Sequence, residues 1–239
     1  MAKSFLVLGS GYTGRFIKDL VTAAGAHVLE THRASRSPSD FEFDLNKQET
    51  WHLLPSVDGT FWTFPPSPPD LVRKFLAAHV NKLGRIVVIG TTGSYLVDQP
   101  DQEVSEDSLA DQNDLRVQGE AEILKSGGLV VRAAGIYGPD RDPRRWIQEG
   151  RVGASSKFVN FIHVEDLAQI LWKAMMSNFC SKVYIAADGH PYRWSELTSV
   201  PDPGRSQRVS KRVNSRRTLE ELQIQLKYPN VLEGMAALQ

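Results

Sequence analysis

The stretch "SFLVLGSGYTGRFIKDL", residues 4–20, decides how the rest of the chain is read. A short apolar run, Phe5 to Leu8, stops at a glycine. Phe16, Ile17, Leu20, Val21 and Ala24 then recur at helical spacing. That pattern is a buried strand, a glycine turn and an amphipathic helix. Gly9, Gly11 and Gly14 spell G-x-G-x-x-G. In a dinucleotide-binding turn the first glycine permits the tight bend, the second lets backbone approach a pyrophosphate, and the third packs helix on strand. The following helix aims its first amides and positive dipole end at the anion. A structural glycine turn is the bland alternative. The strand before the loop, the helix after it and the alternation downstream favour the dinucleotide site, with Tyr12 and Thr13 of the loop counted among its contacts.

Working outward, apolar runs at 26–31, 60–64, 85–90, 128–134 and 182–187 alternate with helical patterns near 70–82, 113–126 and 164–177. Uninterrupted apolar strands between amphipathic helices predict a parallel sheet covered on both faces, joined by right-handed crossovers. The expected fold class is therefore α/β, a Rossmann-type doubly wound sheet. "FPPSPP" (64–69) must break regular structure before a helix begins near Asp70. Phe64 and Pro65, directly after the third long run, are expected beside the cofactor.

The end of the second strand selects between cofactors. An acid there binds the ribose diol of NAD, whereas arginine suits the 2′-phosphate of NADP. The sequence reads "LETHRASR": Thr31, His32 and Arg33 stand where the acid is expected, with Arg36 close behind. Glu30 serves only if the strand ends one or two residues earlier. A planar guanidinium pairs well with phosphate, which favours NADP over NAD. Asp44 in "FDL" is offered to the adenine edge, or equally to a helix N-terminus.

The 239 residues are 41% apolar and 23% charged, with zero formal charge, an ordinary globular composition for one large domain or two small ones. No apolar run reaches the roughly 18 residues that a membrane helix needs. "MAKSFLVLG" is too short for a secretory signal, and a cytoplasmic protein is expected. The single cysteine, Cys180, excludes an internal disulfide and a multi-cysteine metal site; no metal is expected. "RSQRVSKRVNSRR" (205–217) holds six basic residues and no acid. A nucleic-acid or anionic-ligand site is one reading. A solvated face balanced by Glu220 and Glu221 is the more usual one, and no nucleic-acid partner is expected.

Taken together, "VLGSGYTG", "VVIGTTGSY" (87–95), "VVRAAGIYGP" (130–139), "FIHVEDLA" (161–168), "VYIAADG" (183–189) and "YPNVLEGM" (228–235) resemble the extended short-chain dehydrogenase/reductase superfamily, also called the NAD-dependent epimerase/dehydratase family. The likeness runs over nearly the whole chain and is strongest to a short bacterial subgroup with a G-x-G-Y-x-G loop. It implies one NAD(P)-binding domain over 1–239, with a small substrate lobe from about 139–162 and 190–239. It also implies dimerisation through helices near 70–82 and 108–126.

That resemblance further implies a catalytic hydroxyl residue, a tyrosine, and a lysine four residues after it. Thr91 in "GTTGSY" occupies the hydroxyl position. The Tyr-Lys pair is missing: no tyrosine in the chain has a lysine four residues later. Aligning Glu120 with the family's usual helix glutamate puts Arg116 at the lysine position and Gln112 at the tyrosine position. Arg116 keeps a positive charge for the ribose, but glutamine cannot relay a proton as a phenol does. Tyr95, Tyr137 and His163 are the candidate substitutes, each with a packing role as its alternative; His163 more often fixes a helix start. Arg132, within a strand, reads as an ion-pair partner.

Two functions follow. One is an NADP-dependent oxidoreductase or epimerase-like enzyme with a degenerate site, using Thr91, Arg116 and Tyr95 or water on a small substrate. The other is a non-catalytic nucleotide sensor or scaffold. The arginines of "PDRDPRRWIQEGR" (139–151) are either a cover for an anionic substrate or a solvated helix face.

Overall fold

The computed structural model describes residues 2–33, 41–198 and 209–238. In chain order the elements are β1 (Ser4–Leu8), α1 (Tyr12–Ala23), β2 (His27–His32), β3 (Phe41–Glu42), β4 (Gly59–Trp62), α2 (Pro69–Leu83), β5 (Arg85–Thr91) and β6 (Gln102–Val104). There follow α3 (Leu115–Lys125), β7 (Leu129–Ala133), β8 (Gly135–Tyr137), α4 (Pro143–Gln148), β9 (Phe158–Val159), β10 (Phe161–His163), α5 (Val164–Met176) and β11 (Lys182–Ala186). The last are β12 (Tyr192–Arg193), α6 (Trp194–Thr198), β13 (Lys211–Val213), α7 (Arg216–Glu221) and α8 (Val231–Ala236).

Seven strands make one sheet in the order β11-β7-β5-β4-β1-β2-β3. The pairs β1–β2, β1–β4, β4–β5 and β2–β3 run parallel. The order reverses at β1, with β2 on one side and β4 on the other. This is the doubly wound, Rossmann-type arrangement, and the crevice beyond the carboxyl ends of β1 and β4 is where such sheets bind ligands. The apolar runs read from the sequence match the sheet strands to within a residue or two, because strands buried on both faces leave uninterrupted hydrophobic signatures. α3 starts two residues later than its apolar spacing predicts. Asp114 caps it, its Oδ1 accepting the Arg116 N–H at 2.9 Å.

The chain divides into two compact units. The first comprises Met1–Ser94, Asp111–Arg132 and Ala168–Tyr184. Its core joins Leu6, Leu8, Trp62, Val88 and Val130 of the strands to Trp51, Phe75 and Ile123. The second comprises Tyr95–Ala110, Ala133–Leu167 and Ile185–Gln239. It holds three two-stranded pairs, β8–β10, β9–β12 and β6–β13, and a small core of Tyr137, Phe161, Val231 and Met235.

The β6–β13 pair lays the acidic 101–107 segment beside the basic 211–217 segment. Arg217 bonds Asp107 at 2.6 Å and lies 3.4 Å from Glu106, while the Thr218 hydroxyl donates to Glu106. Arg216 pairs with Glu220 at 2.6 Å. Arg205 and Arg208 lie outside the described residues. Among the described residues no helix is long and apolar enough to cross a membrane.

Candidate functional site

The glycine loop is shaped by its neighbours on both sides. Gly9 has φ +92°, in the left-handed region, and a methyl there would stand 2.6 Å from the Phe64 ring. Its N–H donates to the Thr31 hydroxyl at 2.8 Å, and the Ser10 N–H donates to the Thr31 carbonyl, also at 2.8 Å. The Thr63 hydroxyl donates to the Gly9 carbonyl. The loop is thereby tied to the ends of β2 and β4. A Cβ on Gly14 would meet Val7 at 3.0 Å, so glycine lets α1 close on β1. One added to Gly11 would meet only the Gly9 carbonyl, at 4.0 Å, which leaves open space above that residue. α1 begins with no side-chain cap and no acid in its first turn. Its start is free to attract an anion.

Beside the loop opens a cavity of about 420 Å³ lined by Gly9, Ser10, Gly11, Thr31, His32, Arg33, Phe43, Asp44, Leu45 and Phe64. Phe43 and Phe64 form an apolar wall, their ring centroids 6.1 Å apart. Arg33, exposed, and His32, half-buried, put a guanidinium and an imidazole in the lining beside Asp44. Asp44 lines the cavity while its Oδ1 accepts the Asn46 N–H at 2.9 Å, turning the chain toward a 3-10 helix over Gln48–Leu53. Glu30, the acid of β2 itself, lies inside the strand rather than at its tip and is held by Lys18 and Ser10, while Glu42 of β3 stands opposite His32. Burial works against the ionisation of Glu30, but hydrogen bonds from Lys18 and Ser10 and the charges of Lys18 and His32 outweigh it. The carboxyl stays below its ordinary range. The glycines, open space, uncapped helix and apolar wall fit a dinucleotide, and the Arg33 guanidinium fits a phosphate.

Of the residues expected from sequence, Gly9, Gly11, Arg33, Asp44 and Phe64 line this cavity together. Gly14, Thr13 and Tyr12 sit at the start of α1 behind it, with Gly14 and Thr13 buried and Tyr12 half-buried. Pro65 is exposed and outside the lining, and Arg36 lies outside the described residues. Sequence reading missed Ser10, Phe43 and Leu45. The signals were there, in the middle position of G-x-G and in the neighbours of Asp44.

Thr91 and Arg116 are not in the lining of this cavity. Thr91, at the carboxyl end of β5, is half-buried, and its Oγ1 accepts the Gly93 N–H at 3.0 Å. The turn after it is fixed to the start of α3: Ser94 donates to Asp114 at 2.9 Å, and the Asp111 N–H donates to the Ser94 carbonyl at 2.8 Å. Arg116 and Gln112 are exposed. Beneath Gly90, the Arg132 guanidinium donates twice to Glu120 Oε2, at 2.8 and 3.0 Å. Burial pushes the Glu120 carboxyl up, although Arg132 pulls the other way.

In the second unit, Tyr95 is 4% exposed and bridges to Ala110. Tyr137 is fully buried, and its hydroxyl donates to the Asn230 carbonyl at 3.4 Å. Burial raises the phenol well above its ordinary range. His163, 1% exposed, accepts the Glu165 N–H on Nδ1 at 3.3 Å and packs against Tyr228, the ring centroids 3.8 Å apart and tilted at 45°. It thus pins the start of α5, and burial brings it down to about 4. Among the arginines of 139–151, Arg144 pairs with Asp142 at 2.6 Å and Arg151 with Glu149 at 2.8 Å.

No family model matches the chain, and no curated protein is significantly similar to it. Solved structures are. A functionally unknown conserved protein from Silicibacter pomeroyi is 24% identical, with TM-score 0.72 over 99% of this chain and 98% of that one. The human epimerase family protein SDR39U1, solved with NADPH, is 18% identical, with TM-score 0.73 over 98% of each chain. A short-chain dehydrogenase/reductase superfamily protein from Agrobacterium tumefaciens, solved with NAD, is 13% identical, with TM-score 0.79 over 98% of this chain and 95% of that one. These likenesses extend over whole chains, as does the resemblance read from the six motifs: the chain carries the Rossmann-type fold of the short-chain dehydrogenase/reductase and epimerase proteins.

Proposed function

We propose that this chain binds NADP(H) and acts as an oxidoreductase or epimerase-like enzyme on a small carbonyl or hydroxyl compound. The observation that carries the reading is the cavity at the carboxyl ends of β1 and β2. There the Gly9–Gly11 backbone, the Phe43–Phe64 wall and the exposed Arg33 surround one volume of about 420 Å³. Gly11 and the uncapped start of α1 receive the pyrophosphate, and His32 and Arg33 face the 2′-phosphate. The nicotinamide supplies hydride transfer when bound. In this reading Thr91 orients the substrate oxygen and Arg116 holds the ribose next to it. Tyr95 is deeply buried, so water is the simpler proton source. Loss of a positioned phenol costs roughly 10²–10⁴-fold in such chemistry and leaves slow turnover possible.

Exposed Gln112 and Arg116 in place of a Tyr-Lys pair support a second reading, a nucleotide sensor without chemistry. Both readings share the nucleotide site, which a titration of NADPH and NADH followed by tryptophan fluorescence tests. NADPH is expected to bind more tightly, with the preference reduced in Arg33→Ala. Binding of neither nucleotide overturns both readings. Oxidation of bound NADPH by small aldehydes and ketones then separates enzyme from sensor.

A further inference from the structure

Glu30 is the only carboxylate of β2, and it lies one residue before Thr31, whose hydroxyl and carbonyl anchor the glycine loop. Glu30 does not itself line the cavity but meets it through Ser10, and a carboxylate free to turn from there toward the cavity accepts the hydroxyls of a ribose diol and repels a phosphate. Here it is not free. Lys18 reaches it from α1, one turn past Gly14, and bonds Oε2; Ser10, in the cavity lining, bonds Oε1. The Glu30 side chain is only 17% exposed, whereas Lys18 is 46% exposed and approaches from the solvent side. Both oxygens are occupied, one by a cation. Ser10, whose hydroxyl donates its hydrogen bond to Glu30, offers its lone pairs to the cavity, which suits a ribose hydroxyl and leaves phosphate recognition to His32 and Arg33.

We propose that Lys18 is a selectivity residue for the nucleotide: by pinning and neutralising Glu30 it withholds from an NADH ribose the acceptor it would otherwise find, and removes the negative charge that would oppose a 2′-phosphate. Lys18 acts through Glu30 and Ser10 rather than by touching the ligand, and the inference rests on the cavity being the NADP(H) site proposed above.

The test is a set of fluorescence titrations of NADPH and NADH with the full chain and the variants Lys18→Met, Lys18→Arg, Glu30→Gln and Lys18→Met/Glu30→Gln, each checked for an unchanged melting temperature. In Lys18→Met, NADH binding tightens and NADPH binding weakens. The preference for NADPH falls about fivefold at low ionic strength, the size of one screened charge interaction. Lys18→Arg keeps the preference. The double variant, with Glu30 uncharged, returns it to within about twofold of the parent. A parent preference for NADPH that Lys18→Met leaves unchanged overturns the role of Lys18 and leaves the nucleotide site standing. So does a Lys18→Met that weakens NADPH without tightening NADH, since that is a mere loss of positive charge. A parent chain that binds neither nucleotide, or prefers NADH, overturns the inference together with its basis.

Discussion

The backbone N–H of Gly9 donates to the hydroxyl of Thr31 across 2.8 Å, and this bond sets the glycine loop against β2, the strand that ends at His32. Thr31 is fully buried. Thr31→Val keeps the shape and removes the acceptor, leaving a half-buried N–H without its partner at a cost of about 1 kcal/mol. Urea unfolding should show that loss. Nucleotide affinity should fall with it, because loop and strand both line the cavity.

Gly119 of α3 lies against the loop that follows β4. A Cβ there would sit 1.6 Å from the Pro66 carbonyl oxygen, which is backbone and cannot swing aside. Gly119→Ala must push α3 from residues 64–66, and overpacking of this kind costs roughly 1–3 kcal/mol. Gly153→Ala is the control. Its Cβ would meet nothing within 4 Å, and a change below about 0.5 kcal/mol is expected. A melt of Gly119→Ala indistinguishable from the parent would contradict the packing described for α3.

Glu120 and Arg132 form a buried pair, with side chains 1% and 7% exposed. Arg132→Met strands the carboxylate beneath Gly90, and breaking such a pair costs about 3–5 kcal/mol. Burial already raises the Glu120 carboxyl, and losing the guanidinium raises it further. An acid whose folded value lies above its unfolded value holds its stabilising proton at low pH and loses it as pH rises. The deficit should therefore be larger at pH 8 than at pH 5. Arg132→Met/Glu120→Leu should recover most of the stability in chemical denaturation.

Asp188 and His163, both in the second unit, should pull stability in opposite directions with pH. Burial raises Asp188 from 3.8 to about 7, against the His190 N–H that its Oδ1 accepts at 2.9 Å. Its contribution is full below 3.8 and is lost as pH rises through 7. Burial lowers His163 from 6.5 to about 4, so its contribution is present above 6.5 and lost as pH falls through 4. Asp188→Asn, which keeps Oδ1, should melt higher than the parent at pH 8, by at least about 1 kcal/mol, with a smaller gain at pH 5. His163→Gln should lessen the loss of stability below pH 6. Melting curves at several pH values decide both.

What the sequence determined by itself is local. β1, the glycine loop and α1 are contiguous, so their order, spacing and apolar periodicity announce a strand-turn-helix unit. Repetition of that unit announces a parallel sheet. Arg33, one residue past β2, is legible for the same reason. Tertiary structure alone decided what distant segments do to one another. Only the folded chain closes Lys18 and Ser10 on Glu30, places Phe43 and Phe64 on one wall, and answers the basic 211–217 run with Glu106 and Asp107 over a hundred residues upstream. Periodicity reports which face of an element is buried. It carries no information about which charge or ring from elsewhere in the chain will be packed beside it, because that is set by the crossovers and registers of the whole sheet.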